Sequence, residues 1–265
     1  YFARADSVYR VFYGQAQQPG DLYGSGRRRI PVLQYRGELA VAVQIGQPRG
    51  TPALQVFTTE NELYFNSQDT ITPEVVEGDD SEQFIGMTLL NLRDIAALDV
   101  RARVEANEYV NESTIYYPSL APAATTQLAF SLKPKDTWPV SEEPLTFRLI
   151  VESPSLNASY ATTIEINTVA PGTTHKRSFR SSMDGSAQYY GVVVPTGDAG
   201  SSGHGLVLSL HGAAVEGIGQ ARAYHPKDWG YVIAPTNRRP FGFDWQSWGR
   251  LDALESLDDA AQSFS

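Results

Sequence analysis

Two short apolar runs with a helix-like stretch between them constrain this chain more than anything else in it. Gly205-Leu-Val-Leu-Ser-Leu-His-Gly212 is apolar at consecutive positions and ends in His-Gly, and Tyr231-Val-Ile-Ala-Pro235 follows further on. Consecutive rather than alternating apolar residues mark a parallel strand covered on both faces. Two such strands need a crossover between them, and the residues from about Gly217 to Tyr224 supply a helix that Pro226 ends. The pair therefore predicts a β–α–β unit.

The rest of the composition mainly excludes. A chain of 265 residues suits two domains. With 30 acidic against 21 basic residues the net charge is −9, which argues against a duplex nucleic-acid partner, since that demands a basic face. There is no cysteine, so disulfides, cysteine nucleophiles and thiolate metal sites are ruled out. A cysteine-free, Thr/Ser/Tyr-rich β-protein points to an exported, periplasmic or extracellular location. No apolar stretch reaches the roughly 18 residues of a membrane-spanning helix, so no membrane span is expected.

From about residue 30 to 169 the texture is β. Leu98, Val100, Ala102 and Val104 alternate with Asp99, Arg101, Arg103 and Glu105, one face apolar and the other charged, as in a half-buried antiparallel strand. Leu145, Phe147, Leu149 and Val151 repeat the pattern, as do Leu128, Phe130 and Leu132. Shorter candidates are Leu39–Ile45, Ala53–Thr58, Glu62–Phe65, Phe84–Leu90, Thr114–Tyr117 and Tyr160–Ile166. Many short strands between Gly/Pro breakers predict a two-sheet sandwich. The acidic stretch Glu77, Asp79, Asp80 and Glu82 is open to two readings, a calcium loop or a solvated turn. It lacks the residue order and distal glutamate of an EF-hand.

A linker at 170–176 divides an accessory sandwich (1–169) from a second unit (177–265). In that unit Ser178–Ser182 and Gln188–Pro195 read as strands around the turn Met183-Asp-Gly185. Gly249–Phe264 reads as a helix with Leu254, Leu257, Ala261 and Phe264 on its buried stripe and Asp252, Glu255, Asp258 and Asp259 mostly outward.

The stretch from Phe179 to Phe264 resembles the start of the catalytic domain of prolyl-oligopeptidase-like α/β-hydrolases. The resembling pieces are Tyr189-Tyr-Gly-Val-Val-Val-Pro195, Leu208-Ser-Leu-His-Gly-Ala213, Gly219-Gln-Ala-Arg-Ala-Tyr224, Pro226-Lys-Asp-Trp229, Ala234-Pro-Thr-Asn-Arg-Arg-Pro240 and Asp244-Trp-Gln-Ser-Trp-Gly-Arg-Leu-Asp-Ala-Leu254. The resemblance implies a multidomain fold: an N-terminal all-β sandwich, then the first β/α units of an α/β-hydrolase sheet. It implies a Ser–Asp–His triad in that chain order, with the serine in Gly-x-Ser-x-Gly. No such pentad occurs here, so the three positions would fall after Ser265 and no catalytic residue is expected in this chain.

What the resemblance does assign to this chain is the oxyanion loop. Backbone donors near 3 Å from a developing oxyanion lower the barrier by roughly 2.7–4 kcal/mol each. The amide of Ala213 is the expected donor, with Gly212 or Ala214 shaping the loop. His211 is expected to brace it by hydrogen bonding rather than act as a base. Asn237, Arg238 and Arg239 follow a strand's carboxyl end, where open α/β sheets bind ligands. An arginine there either holds a substrate carboxylate or forms a salt bridge with Asp244 or Asp252. Phe241, Phe243, Trp245 and Trp248 either wall an acyl pocket or form a satellite core. No ligand spacing supports a metal site, and no cofactor is implied.

Two functional expectations follow. The first is a serine hydrolase, esterase or peptidase, inactive without the Ser–Asp–His part. The second is a non-catalytic binding or scaffolding protein that uses the sandwich. On the first, the apolar edge at Leu206, Val207, Leu208 and Leu210 is expected to be covered, by a complementing C-terminal half or by a homo-oligomer mate, because bare edges recruit strands.

Overall fold

The computed structural model describes residues 59–198, 203–212, 215–238 and 245–264, with the side chains of Gln68 and Asp69 left aside. It also describes the backbone of six strands nearer the start: β1 (Phe2–Asp6), β2 (Arg10–Tyr13), β3 (Ala16–Pro19), β4 (Arg29–Pro31), β5 (Val41–Gln44) and β6 (Ala53–Phe57). These pair as two three-stranded sheets, β4-β1-β6 and β3-β2-β5.

The alternating segments form a sandwich. One sheet is β12 (Thr125–Leu132), β9 (Gln83–Asn91) and β7 (Leu63–Ile71), in that order. The other is β11 (Ser113–Leu120), β10 (Ala97–Val104), β13 (Leu145–Ser153) and β14 (Ala158–Ile166). All neighbours within both sheets are antiparallel. The inward residues of the two sheets meet in one core. Phe65, Met87 and Phe130 come from one side, and Val100, Phe147 and Val151 from the other. Trp138 is buried among them, edge-on to Phe147, and its Nε1 donates to the Ser81 carbonyl at 3.1 Å. The acidic stretch is a turn: Gly78 has φ +78°, the Asp79 carbonyl accepts the Trp138 amide, and Glu82 accepts from Ser131.

A two-stranded parallel pair, β8 (Val75–Val76) with β15 (Thr168–Val169), bridges toward the second unit. The chain then turns at Gly172, φ +83°, and enters β16 (His175–Arg180). That strand begins inside the stretch read as linker, and His175 is buried on it.

The second unit is a four-stranded mixed sheet ordered β16-β17-β19-β18, where β17 is Ala187–Val193, β18 Gly205–Leu208 and β19 Gly230–Pro235. The pair β18/β19 is parallel, as the β–α–β pattern requires, and joined through helix α1 (Gly217–Arg222). The pairs β16/β17 and β17/β19 are antiparallel. Strand β18 ends the row, so Leu206, Val207 and Leu208 are only half buried. Full cover on both faces was the expectation from its apolar run. That pattern fits β19, which lies between two strands and is almost wholly buried.

Alternate residues send the two helices to opposite faces. Val193, Val232 and Ala234 pack with Ala221 of α1. Tyr190, Val192 and Ile233 pack with Ala260 and Phe264 of helix α2 (Trp248–Phe264). Helix α1 sits so close that a Cβ on Gly191 would lie 2.7 Å from the Ala221 Cβ and 2.8 Å from the Gly217 carbonyl oxygen. Gly219, on the same helix, faces open space.

These two glycines make a matched test. Gly191→Ala should lose about 1–3 kcal/mol by overpacking. Gly219→Ala should gain about 0.5–1 kcal/mol from helix propensity alone. Urea titration of both variants, followed by circular dichroism, checks the pair.

Candidate functional site

Strands β18 and β19 run parallel, so their carboxyl ends open on the same side of the sheet. The ladder extends one residue past β18, with the Ser209 amide donating to the Ile233 carbonyl at 2.8 Å. Ser209 Oγ shares a 2.9 Å hydrogen bond with the Tyr224 hydroxyl and accepts one from Gln220 Nε2 at 2.9 Å. This polar clasp ties the end of β18 to the end of α1.

The His-Gly turn comes next. His211 is buried. Its Nδ1 meets the Gly212 carbonyl at 2.8 Å, and a carbonyl can only accept, so the proton there is on Nδ1. Trp245 Nε1 donates to the His211 carbonyl at 2.8 Å, and the two rings meet edge-on at 5.0 Å. Among the described residues, His211 Nε2 is buried without a hydrogen-bond partner. The histidine thus holds the turn through its own ring and through Trp245. Ala213, Ala214 and Arg239, expected in the oxyanion loop and the ligand end, lie outside the described residues, as do Phe241, Phe243 and Asp244.

Past β19, Thr236 and Asn237 are buried, and Asn237 and Arg238 take left-handed φ of 61° and 66°. That conformation costs an arginine on the order of 1 kcal/mol or more. The Arg238 guanidinium is the hub of a polar knot. It donates to Ser181 Oγ at 2.9 Å, to Ser186 Oγ at 3.2 Å and to the Asp184 carboxylate. Asp252 and Glu255 lie 3.8 and 3.7 Å away, and the Trp248 ring is 5.7 Å below. Of the two expectations for Arg238, the salt bridge is what the geometry contains, and Asp252 is one of its three acidic neighbours.

The knot sets the charge states of its members. Burial pushes Asp184 up, but hydrogen bonds from Arg238 and Ser186 outweigh it and hold the carboxyl below its usual range. Burial likewise works against Glu255, and bonds from Ser181 and Ser182, with Arg238 nearby, keep it low. Asp252 has no such donors of normal geometry and is pushed up to about 6, mainly by burial.

Helix α2 docks on a different face from the one its leucines suggest. Its buried residues are Gly249, Asp252, Ala253, Ser256 and Ala260. Leu254 is 44% exposed, Leu251 38% and Trp248 57%. Asp252, Glu255 and Asp259 instead face the sheet: Asp259 accepts from the Tyr190 hydroxyl at 2.6 Å and sits 3.5 Å from Arg177. Burial, with Asp259 beside it, drives the Tyr190 phenol strongly upward. The acidic ridge at a spacing of three and four residues was the available signal. It was legible only with the knowledge that arginines and serines lie opposite.

No known family model matches the chain, and no curated protein matches its sequence. Among solved structures it is similar to a thermostable esterase at 12% sequence identity and a TM-score of 0.28, over 74% of this chain and 67% of that one. Any functional reading therefore stands on the residues themselves. Among the described residues, no group of acidic and histidine side chains is arranged to hold a metal ion, and no helix is long and apolar enough to cross a membrane.

Glu255→Ala removes the acceptor of the Ser182 amide and of two serine hydroxyls. It should cost about 1.5–3 kcal/mol, the range for hydrogen bonds to a charged group. Because the folded-state carboxyl is held below its unfolded value, that contribution should be present above about pH 4.3 and fade as pH falls further. Denaturant midpoints of wild type and variant at pH 7 and pH 3 read both effects.

Proposed function

We propose that this chain belongs to a serine hydrolase of the α/β-hydrolase type, an esterase or peptidase, and supplies its accessory sandwich (1–169) and the first part of its catalytic sheet (177–265). In this reading the turn His211–Ala214 is the oxyanion loop. The amide of Ala213 donates to the tetrahedral oxygen, Gly212 and Ala214 shape the approach, and His211 braces the backbone. The second donor and the Ser–Asp–His residues come from a complementing C-terminal part. Such preorganised amides act by being fixed before charge develops. An exported location suits the same reading.

The observation that carries it is the His-Gly turn itself. It closes a parallel strand, is pinned by its own ring and by Trp245, and stands on the outermost of the described strands of its sheet. A strand pairing with the free edge of β18 would bring its own carboxyl end beside that turn. Helices α1 and α2 already lie on opposite faces, the doubly wound arrangement in which ligands bind outside the strands' carboxyl ends. With Arg238 consumed by its carboxylates, substrate binding in this reading falls to Asn237, Arg239, Trp245 and Trp248.

The purified 265-residue chain should not turn over a p-nitrophenyl ester. A longer polypeptide, carrying Gly-x-Ser-x-Gly with its Asp and His after Ser265, should do so and be silenced by a serine-directed phosphonate. Turnover by the chain alone would remove the need for a complementing part. An inert, phosphonate-resistant longer protein would remove the hydrolase reading.

A further inference from the structure

Strand β18 lies at the end of the described row, so the chain that leaves it lacks the second neighbour that β19 has. Its last ladder bond is the Ser209 amide on the Ile233 carbonyl. His211 follows two residues later, and the turn begins. Among the described residues, side chains grip this backbone from outside at two points. Trp245 Nε1 holds the His211 carbonyl at 2.8 Å. Gln220 Nε2 donates to Ser209 Oγ at 2.9 Å, and the Tyr224 hydroxyl meets the same oxygen at 2.9 Å.

A side chain can position a backbone only if its own base is fixed. Gln220 stands on α1, and that helix is seated closely on the sheet: a Cβ on Gly217 would lie 2.6 Å from the Ala234 carbonyl oxygen and 2.8 Å from that of Pro235. The sandwich fastens the same helix from its other side. Ile218 packs with Ile71, and Arg222 Nη2 donates to Glu74 at 3.1 Å. Ser209 is 7% exposed, so little water competes for its hydroxyl. Losing its partners would leave that hydroxyl with the cost of an unmet buried polar group.

We propose that Gln220 is a positioning residue for the His211–Gly212 turn. Through Ser209 it fixes where the backbone leaves β18, and with it the direction of the amides that follow. The glutamine touches no reacting atom and acts only through the strand end. The proposal rests on the hydrolase reading only for what those amides receive: a donor to a developing oxyanion must be aimed before the charge appears.

Indole and backbone N–H signals of the 265-residue chain, read by ¹⁵N-correlated NMR with hydrogen exchange, test this without substrate. Gln220→Met keeps the side chain's length and loses the donor. It should shift the Trp245 indole and the His211 and Gly212 amides, and speed exchange at the Trp245 indole by roughly fivefold, the weight of one net hydrogen bond. The Trp138 indole, bonded to the Ser81 carbonyl in the sandwich, should stay in place, whereas a general loosening would move it too. Ser209→Ala should reproduce the Trp245 shift, and Gln220→Met added to it should move nothing further, because the two variants remove one interaction. An unmoved Trp245 indole in both single variants would overturn the proposal, and so would a further shift in the double variant. In the longer polypeptide of the hydrolase reading, Gln220→Met should lower kcat about tenfold and leave KM in place, as for an interaction made only in the transition state. An unchanged kcat there would count against the glutamine alone. An inert longer polypeptide would remove the hydrolase reading and leave every NMR readout standing.

Discussion

A carboxylate moved out of water loses several kcal/mol of hydration and must find donors or a cation to replace it. Helix α2 brings three of them to the sheet, and the way each is met organises this end of the molecule. Asp259 takes the Tyr190 hydroxyl and lies near Arg177, whose guanidinium also covers the Phe264 ring. Glu255 takes the amide and hydroxyl of Ser182 and the hydroxyl of Ser181, so the β16–β17 turn is fastened to the helix. Asp252 takes almost nothing and faces the turn after β19. From one end of α2 to the other, the helix passes from a hydrogen-bonded anion to one that has only the Arg238 guanidinium 3.8 Å away, and that one lies nearest the carboxyl ends of the strands.

That arrangement explains why some of the architecture was legible in the amino-acid sequence and some was not. Strands such as β10 and β13 declare themselves, because one face is buried and the other is wet, so Val100 and Arg101, or Phe147 and Arg148, must alternate. Strands β18 and β19 declare themselves by the opposite pattern, although only β19 has neighbours on both sides. Helix α2 was legible as a helix but not in its orientation. Leu251, Leu254 and Leu257 outweigh Ala253, Ser256 and Ala260 on any hydrophobic scale, and the partners of Asp252, Glu255 and Asp259 come from segments up to 82 residues earlier, at Arg177. For a polar seam the sequence shows the ridge and not what it meets.

The candidate site divides along the same line. The His-Gly turn could be singled out because a buried strand must end where its backbone becomes free, and His211 and Trp245 do clasp each other there. Arg238 could be singled out as a residue at a strand's end, yet its two possible uses differ only in what lies within 4 Å. Asp184, Ser181 and Ser186, which bind its guanidinium, sit on the β16–β17 turn, whose sequence carries no sign of the arginine it holds.

Where the sandwich meets the mixed sheet, Ile71 packs with Tyr189 and Ile218, and several hydrogen bonds run from side chains of one to the backbone of the other. Ser178 Oγ accepts the Phe84 amide at 2.6 Å, Gln83 Oε1 accepts the Ser178 amide at 3.0 Å, and Gln127 Oε1 accepts the Ala187 amide at 2.8 Å. Glu74 adds the Lys176 amide at 2.9 Å and Arg222 at 3.1 Å. Each lobe thus finishes the other's hydrogen-bond inventory. Severing the chain at the Gly172 corner would orphan the Phe84 amide and the Gln83 and Gln127 oxygens on one surface and the Lys176, Ser178 and Ala187 amides on the other, so neither half is a cassette to be swapped into a foreign host without re-engineering its seam.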